Sequence, residues 1–276
     1  MKITAIDSHA HVFTRGLPLA AVRRHAPDYD ATLAEYLGLL DRHGVSHGVL
    51  VQPSFLGTDN SFLLGTLRAS PQRLRGVAVV DPETGEDELK AMDDAGICGI
   101  RLNLVGLPLP ELARADWQGL LERVHALGWH VELHCESFAL AAAGQAVLDA
   151  GCQLVVDHFG RPGAALQPDA GFAWLLQQAA TGRVWVKLSA AYRNWAGHSA
   201  AALSHEAAQA LLRAFGPERL VWGSDWPHTQ HREIVDYSTA HADLAAWVPD
   251  AAARTQILCG TPAQLFKFNP GDKHDQ

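Results

Sequence analysis

The chain has 276 residues, 48% of them hydrophobic and 19% charged, the balance of a folded protein that can bury a large core without disulfide or metal staples. Its formal net charge is −8, and no run of Lys or Arg occurs, which argues against nucleic acid or an anionic membrane surface as a partner. An anionic small substrate remains compatible with this charge, because a pocket can be locally basic on an acidic protein.

In chain order, short β-branched runs alternate with helical patterns. Strands are expected over Ile3–Asp7, Gly48–Gln52, Gly76–Val80, Gly99–Asn103, Val131–His134, Leu154–Asp157, Val184–Leu188 and Leu220–Gly223. Most are continuous hydrophobic runs, as parallel strands covered on both faces are. After the first, Leu33, Tyr36, Leu37 and Leu40 share one helical face, with Asp30 the expected cap. Trp117, Leu120, Leu121 and Val124 repeat that spacing after strand four. Eight strands alternating with helices predict one α/β domain over residues 1–276, a closed (β/α)8 TIM barrel. The loops Thr14–Tyr29 and Val105–Asp116 are expected to cover an active site, and Gly271–Gln276 to be a frayed tail.

The four cysteines are scattered without a C-x-x-C, as free thiols in a reducing compartment would be. Asp7, His9 and His11 interrupt the first apolar residues too early for a signal peptide, and no stretch approaches the length of a membrane span. The cytoplasm is the expected location; association into a homo-oligomer is compatible with the sequence.

Polar residues gather just past the strands: Asp7, His9 and His11 after the first, Arg101 and Asn103 after the fourth, His134 and Glu136 after the fifth. Asp157, His158 and Arg161 follow the sixth, Lys187, Ser189 and Arg193 the seventh, and Ser224, Asp225 and His228 the eighth. Barrel enzymes place their chemistry at this rim, where separate strands converge. With fifteen histidines, about one H-x-H pair is expected by chance, so position gives His9-x-His11 its weight. Residues two apart on a strand face the same side and can grip one ion. Asp225 needs a partner at such a rim, and Arg101, Arg161 and Arg193 suit carboxylates as planar forks. Lys187 and Asp157 are expected to pair with each other outside the site. His43, His47, His125, His198 and His205 are expected to be ordinary packing or surface residues.

The segments Asp7-Ser-His-Ala-His-Val-Phe, Val51-Gln-Pro-Ser-Phe-Leu-Gly-Thr-Asp-Asn, Arg75-Gly-Val-Ala-Val-Val-Asp-Pro, Gly99-Ile-Arg-Leu-Asn, Asp157-His-Phe-Gly-Arg-Pro and Trp222-Gly-Ser-Asp-Trp-Pro-His resemble the amidohydrolase superfamily. They are most similar to its branch of 2-pyrone-4,6-dicarboxylate lactonase and related lactone hydrolases, in the same order from Asp7 to about Phe268. The resemblance implies a (β/α)8 barrel acting on a lactone or similar ester. It matches His9 and His11 to the paired strand-one histidines, His158 to the strand-six histidine and Asp225 to the strand-eight aspartate. Arg101, Arg161 and Arg193 match arginines that hold substrate carboxylates, and Ser54 and Asn60 fall in the matching strand-two loop. The dicarboxylate lactonase, which works without a metal, has tyrosine in place of His134 and histidine in place of Leu56. A histidine after strand five is where metal-binding members supply a ligand. No lysine ends strand four, so a carbamylated-lysine binuclear site is not expected.

The expected activity is therefore hydrolysis of a small anionic lactone. His9, His11, His134 and Asp225 would hold a divalent metal, Zn2+ or Mn2+, with metal-free catalysis as the alternative. Asp225 would act as base, and His158 would stabilise the oxyanion or complete the coordination. Two other readings share these residues: a non-oxidative decarboxylase of an aromatic or muconate-like acid, and a barrel that binds an anionic metabolite without turning it over.

Overall fold

The structure is a computed structural model and describes residues 1–163 and 165–268; the expected tail, Gly271–Gln276, lies outside the described residues. Its strands are β1 (Ile6–Ala10), β2 (His47–Val51), β3 (Leu74–Ala78), β4 (Ile97–Asn103), β5 (His130–His134), β6 (Gln153–Val156), β7 (Val184–Ser189) and β8 (Leu220–Gly223). They form one sheet of eight strands in sequence order, parallel at every neighbouring pair. Each is followed by a helix: α1 (Leu33–Arg42), α2 (Ser61–Ala69), α3 (Glu86–Asp94), α4 (Ala115–Ala126), α5 (Ser137–Asp149), α6 (Ala170–Gln177), α7 (Ala200–Phe215) and α8 (Tyr237–Trp247). The sheet closes at the seam between β1 and the end of β8. There the Asp225 amide donates to the His9 carbonyl at 2.8 Å and the His11 amide to the Trp226 carbonyl at 2.7 Å. The expected (β/α)8 barrel is the observed fold.

Strand side chains alternate faces, and the barrel sorts them accordingly. Val131 and Leu133 on β5, and Val184, Val186 and Leu188 on β7, face outward into the apolar layer under the helices. The inward positions are layered along the barrel axis. The closed end is apolar: Ile6, Val49, Val77, Val155 and Val221 pack with Phe266 and Phe268 from the C-terminal segment. Above it the interior turns polar, with Glu132 and Lys187 wholly buried.

Two local expectations change. The first strand is Ile6–Ala10 rather than Ile3–Asp7. Asp7, Ser8 and His9 read as too polar for a strand, yet the carboxylate of Asp7 accepts from the Ser224 amide at 2.8 Å and its hydroxyl at 2.6 Å, so the burial is compensated. The cap of α1 is Thr32, not Asp30. Thr32 and Glu35 form a reciprocal capping box, while Asp30 accepts from the Arg15 amide at 2.7 Å. Among the described residues, no helix is long and apolar enough to cross a membrane.

Candidate active site

The seam that closes the barrel also assembles the site. His9 ends up inside β1 and His11 just beyond it, and the chain leaving β8 turns at Asp225. The two strands approach so closely that a Cβ on Gly223 would lie 2.5 Å from His9 Cβ, so only glycine fits there. Four non-glycine residues of the rim, His158, Arg161, Asp225 and His228, have positive φ between 47° and 59°. Such left-handed backbone costs free energy and collects where function needs a side chain aimed.

The two oxygens of Asp225 have separate environments. Oδ2 accepts from Tyr192 Oη at 2.5 Å and Arg193 Nε at 2.6 Å. Oδ1 faces three imidazoles, 3.6 Å from His9 Nε2, 3.6 Å from His11 Nε2 and 4.0 Å from His158 Nε2. Burial alone would raise this carboxyl, but Arg193 above all holds it well below the usual carboxylate range. Burial likewise drives His9, His134 and His158 well below the ordinary histidine value, so all three are neutral near pH 7.

The tautomer of His11 follows from its partner. Nδ1 lies 2.7 Å from the Val51 carbonyl, which can only accept, so Nδ1 carries a proton and Nε2 is the ring atom turned to the site. Nε2 of His11 and Oδ1 of Asp225 face each other at 3.6 Å. His9 Nε2 is buried nearby without a hydrogen-bond partner. One ligand atom from each of His9, His11 and Asp225 lies within 4.8 Å of the others, a grouping that could hold a divalent cation once His9, protonated on Nε2 while Lys187 donates to its Nδ1, releases that proton. His134, the other expected ligand, is not in that cluster; its ring packs edge-on against His158 at 4.9 Å. A second group, His9, Asp157 and His158, has ligand atoms equally close together.

Lys187 and Asp157, expected to pair apart from the site, lie directly beneath it. Lys187 Nζ is 2.9 Å from His9 Nδ1, contacts Glu132 and is 3.5 Å from Asp157 Oδ1. Asp157 Oδ2 accepts from Arg101 Nε at 2.9 Å and Nη2 at 2.7 Å. Of the three expected substrate arginines, Arg101 is thus spent on Asp157 and Arg193 on Asp225. All three still line a cavity of about 220 Å³ at the mouth, together with Ser54, His11, His134, His158 and Asp225. Asn60 does not belong there. Its amide donates to the Thr58 and Val79 carbonyls and accepts from the Val79 amide, fixing the loop after β2.

Sequence reasoning missed Tyr192, next to Arg193, and Arg24, His25 and His231 from the loops lining the cavity. Arg24 and His25 fall within the loop expected as cover, so the segment was legible and the residues were not.

A parallel barrel carrying a strand-one histidine pair and a strand-eight aspartate at its C-terminal mouth defines the amidohydrolase class of barrel enzyme. The amidohydrolase family profile matches residues 6–268, and the chain belongs to that family. It is 33% identical over 273 residues to the 4-sulfomuconolactone hydrolase of Rhizobium radiobacter, covering 95% of this chain and 89% of that protein. A crystal structure from Pseudomonas putida, named as a 2-pyrone-4,6-dicarboxylic acid hydrolase, matches with a TM-score of 0.91 at 47% identity, over 97% of this chain and 99% of that one. A protein of the same name from Acinetobacter baumannii, solved with citric acid bound, matches with a TM-score of 0.93 at 38% identity, over 96% of this chain and all of the other (100%).

Proposed function

We propose that this chain hydrolyses a small, carboxylate-bearing lactone in the cytoplasm. The observation that carries the reading is the divided Asp225 carboxylate, with Oδ2 anchored by Tyr192 and Arg193 and Oδ1 turned to the histidines at the cavity. Its similarity to three proteins named as lactone hydrolases supports the choice of substrate class. Three buried free cysteines, Cys98, Cys135 and Cys152, support a reducing compartment.

Asp225 is ionised and can accept the proton of a water as its oxygen adds to the lactone carbonyl. The ring C–O bond then breaks, and Asp225 passes the proton to the leaving oxygen, giving the open hydroxy acid. His158 Nδ1 and the Ser189 hydroxyl are 2.8 Å apart; in the tautomer where the hydroxyl donates, His158 Nε2 carries the proton and turns a donor toward the developing oxyanion. His9, His11 and Asp225 would hold a divalent cation, with Zn2+ and Mn2+ suited to two nitrogens and a carboxylate. The chemistry such an ion supplies is Lewis-acid polarisation of the carbonyl and acidification of water. Arg161 and Ser54 are placed to bind the substrate.

The test is a panel of pyrone, muconolactone-type and sugar lactones, with and without carboxylates, assayed by acid release and by gain of one water in the product mass. Chelator treatment is expected to remove activity and Zn2+ or Mn2+ to restore it. Full turnover by metal-free protein would sink the metal assignment. Release of CO2 from an aromatic or muconate-like acid, with no lactone opened, would replace hydrolysis by decarboxylation.

A further inference from the structure

With Arg101 and Arg193 neutralised by protein carboxylates, the positive charge left over at the cavity belongs to Arg161 and Arg24. Arg161 follows β6, lines the cavity and has a buried Nε without a hydrogen-bond partner. Arg24 comes from the opposite side of the sequence, on the loop between β1 and α1, and lines the same cavity. Its Nη2 donates to Asn103 Oδ1 at 2.9 Å, tying the loop to the end of β4 through a neutral amide. Among the described residues neither arginine forms an ion pair. Glu136 opposes the charge of both from a distance, and its Oε1 accepts the Gly106 amide at 2.9 Å.

Burial and the crowding of Arg101, Arg161 and Arg193 push Arg24 below the ordinary arginine value, and burial with Arg193 does the same to Arg161. In the free protein this repulsion is offset only in part, by Glu136 for both and by Asp225 for Arg161. An anion in the cavity would relieve it at two guanidiniums together, and Arg24 would exchange a bond to a neutral oxygen for a charge-assisted one.

We infer that Arg24 is a specificity-determining residue, clasping with Arg161 a substrate carboxylate distinct from the carbonyl that is hydrolysed. The inference rests on the lactonase reading and assigns Arg24, beside Arg161, to the recognition of the substrate's free carboxylate. Arg24 is exposed and its hydrogen bond is to the Asn103 side chain at the rim, so its loss is expected to leave the barrel intact.

The experiment compares wild type, Arg24→Gln and Arg24→Lys on a lactone carboxylate and on the same lactone with that group as its methyl ester. For the charged lactone, Arg24→Gln is expected to raise KM by about 10- to 100-fold, the value of a hydrogen bond to a charged group, with kcat nearly unchanged. For the ester, wild type and Arg24→Gln are expected to have similar KM, and Arg24→Lys should recover part of the loss on the charged substrate. An unchanged KM in Arg24→Gln overturns the inference, as does an equal loss on charged and neutral lactones, which would mark a merely structural loop. If no lactone is turned over, the proposed activity fails, and titration calorimetry with citrate decides the role of Arg24 separately. Citrate bound at least about tenfold more weakly by Arg24→Gln supports it. Citrate bound equally by both proteins, or by neither, overturns it.

Discussion

At the scale of single residues, the site works by giving chemically similar groups unlike surroundings. Asp225 is one carboxylate with two environments, because Tyr192 and Arg193 occupy Oδ2 and leave Oδ1 to the histidines. Asp225→Asn removes the acceptor while keeping the shape. It is expected to fold with an unchanged circular dichroism spectrum and to lose about 10²- to 10⁴-fold in kcat, the usual contribution of a positioned base. Retention of turnover within a few fold would remove Asp225 from that role. The sequence carried Asp225 and the histidine pair clearly, since each stands at a strand end within a distinctive segment. It could not show what the arginines face. Arg101, Arg161 and Arg193 are alike as residues at strand ends, and only the folded chain assigns two of them to Asp157 and Asp225. For the same reason Asn60 passed as a site residue, although its amide is consumed by backbone groups.

At the scale of strands, the polar interior explains both what was legible and what was not. The outward positions of β5 and β7 are apolar enough to mark them as buried strands, and their placement in the sequence is nearly that observed. The inward positions carry Glu132 and Lys187, wholly buried and in contact. Burial pushes the Lys187 ammonium down strongly, and we assign it the charged form because Glu132 touches it and Asp157 lies within reach. Removing one member strands the other charge in the barrel, a loss of about 3–5 kcal/mol, whereas replacing both by apolar residues of similar volume costs much less. A urea-denaturation cycle of Lys187→Met, Glu132→Leu and the double variant should therefore show strong favourable coupling in the double variant. Additive losses would mean that the two side chains stabilise the barrel independently. The shifted first strand has the same origin: periodicity sees Asp7 and His9 as polar interruptions, while the barrel supplies their partners from the far end of the chain.

For the whole molecule, the barrel is polar at its mouth and apolar at its floor, and acid exposes the difference. His130 lies at the N-terminal end of β5, buried with both ring nitrogens unpartnered, against Phe266 and beneath Gly99. Burial lowers its pKa to about 3 from an ordinary 6.5. Between these values the unfolded chain binds a proton there and the folded chain does not, so stability falls as pH drops below 6.5 and levels off near the folded value. This one residue accounts for a slope of up to about 1.4 kcal/mol per pH unit in that window and for none above it. His130→Leu should flatten the pH dependence of the unfolding free energy from urea titrations by that amount, with no change in its slope near pH 8. An identical acid profile in the variant would contradict a neutral His130.

The seam has a consequence for how the enzyme comes into being. His9 and His11 are made among the first residues of the chain, yet the carboxylate they face arrives with residue 225, after all eight strands have been synthesised. A nascent or clipped chain that stops short of β8 holds most of the barrel and nearly all of the cavity's cations, but not the proposed base. On the proposed mechanism, catalysis would switch on only when the two ends of the sheet meet, and turnover would report on ring closure rather than on the presence of the site's individual parts.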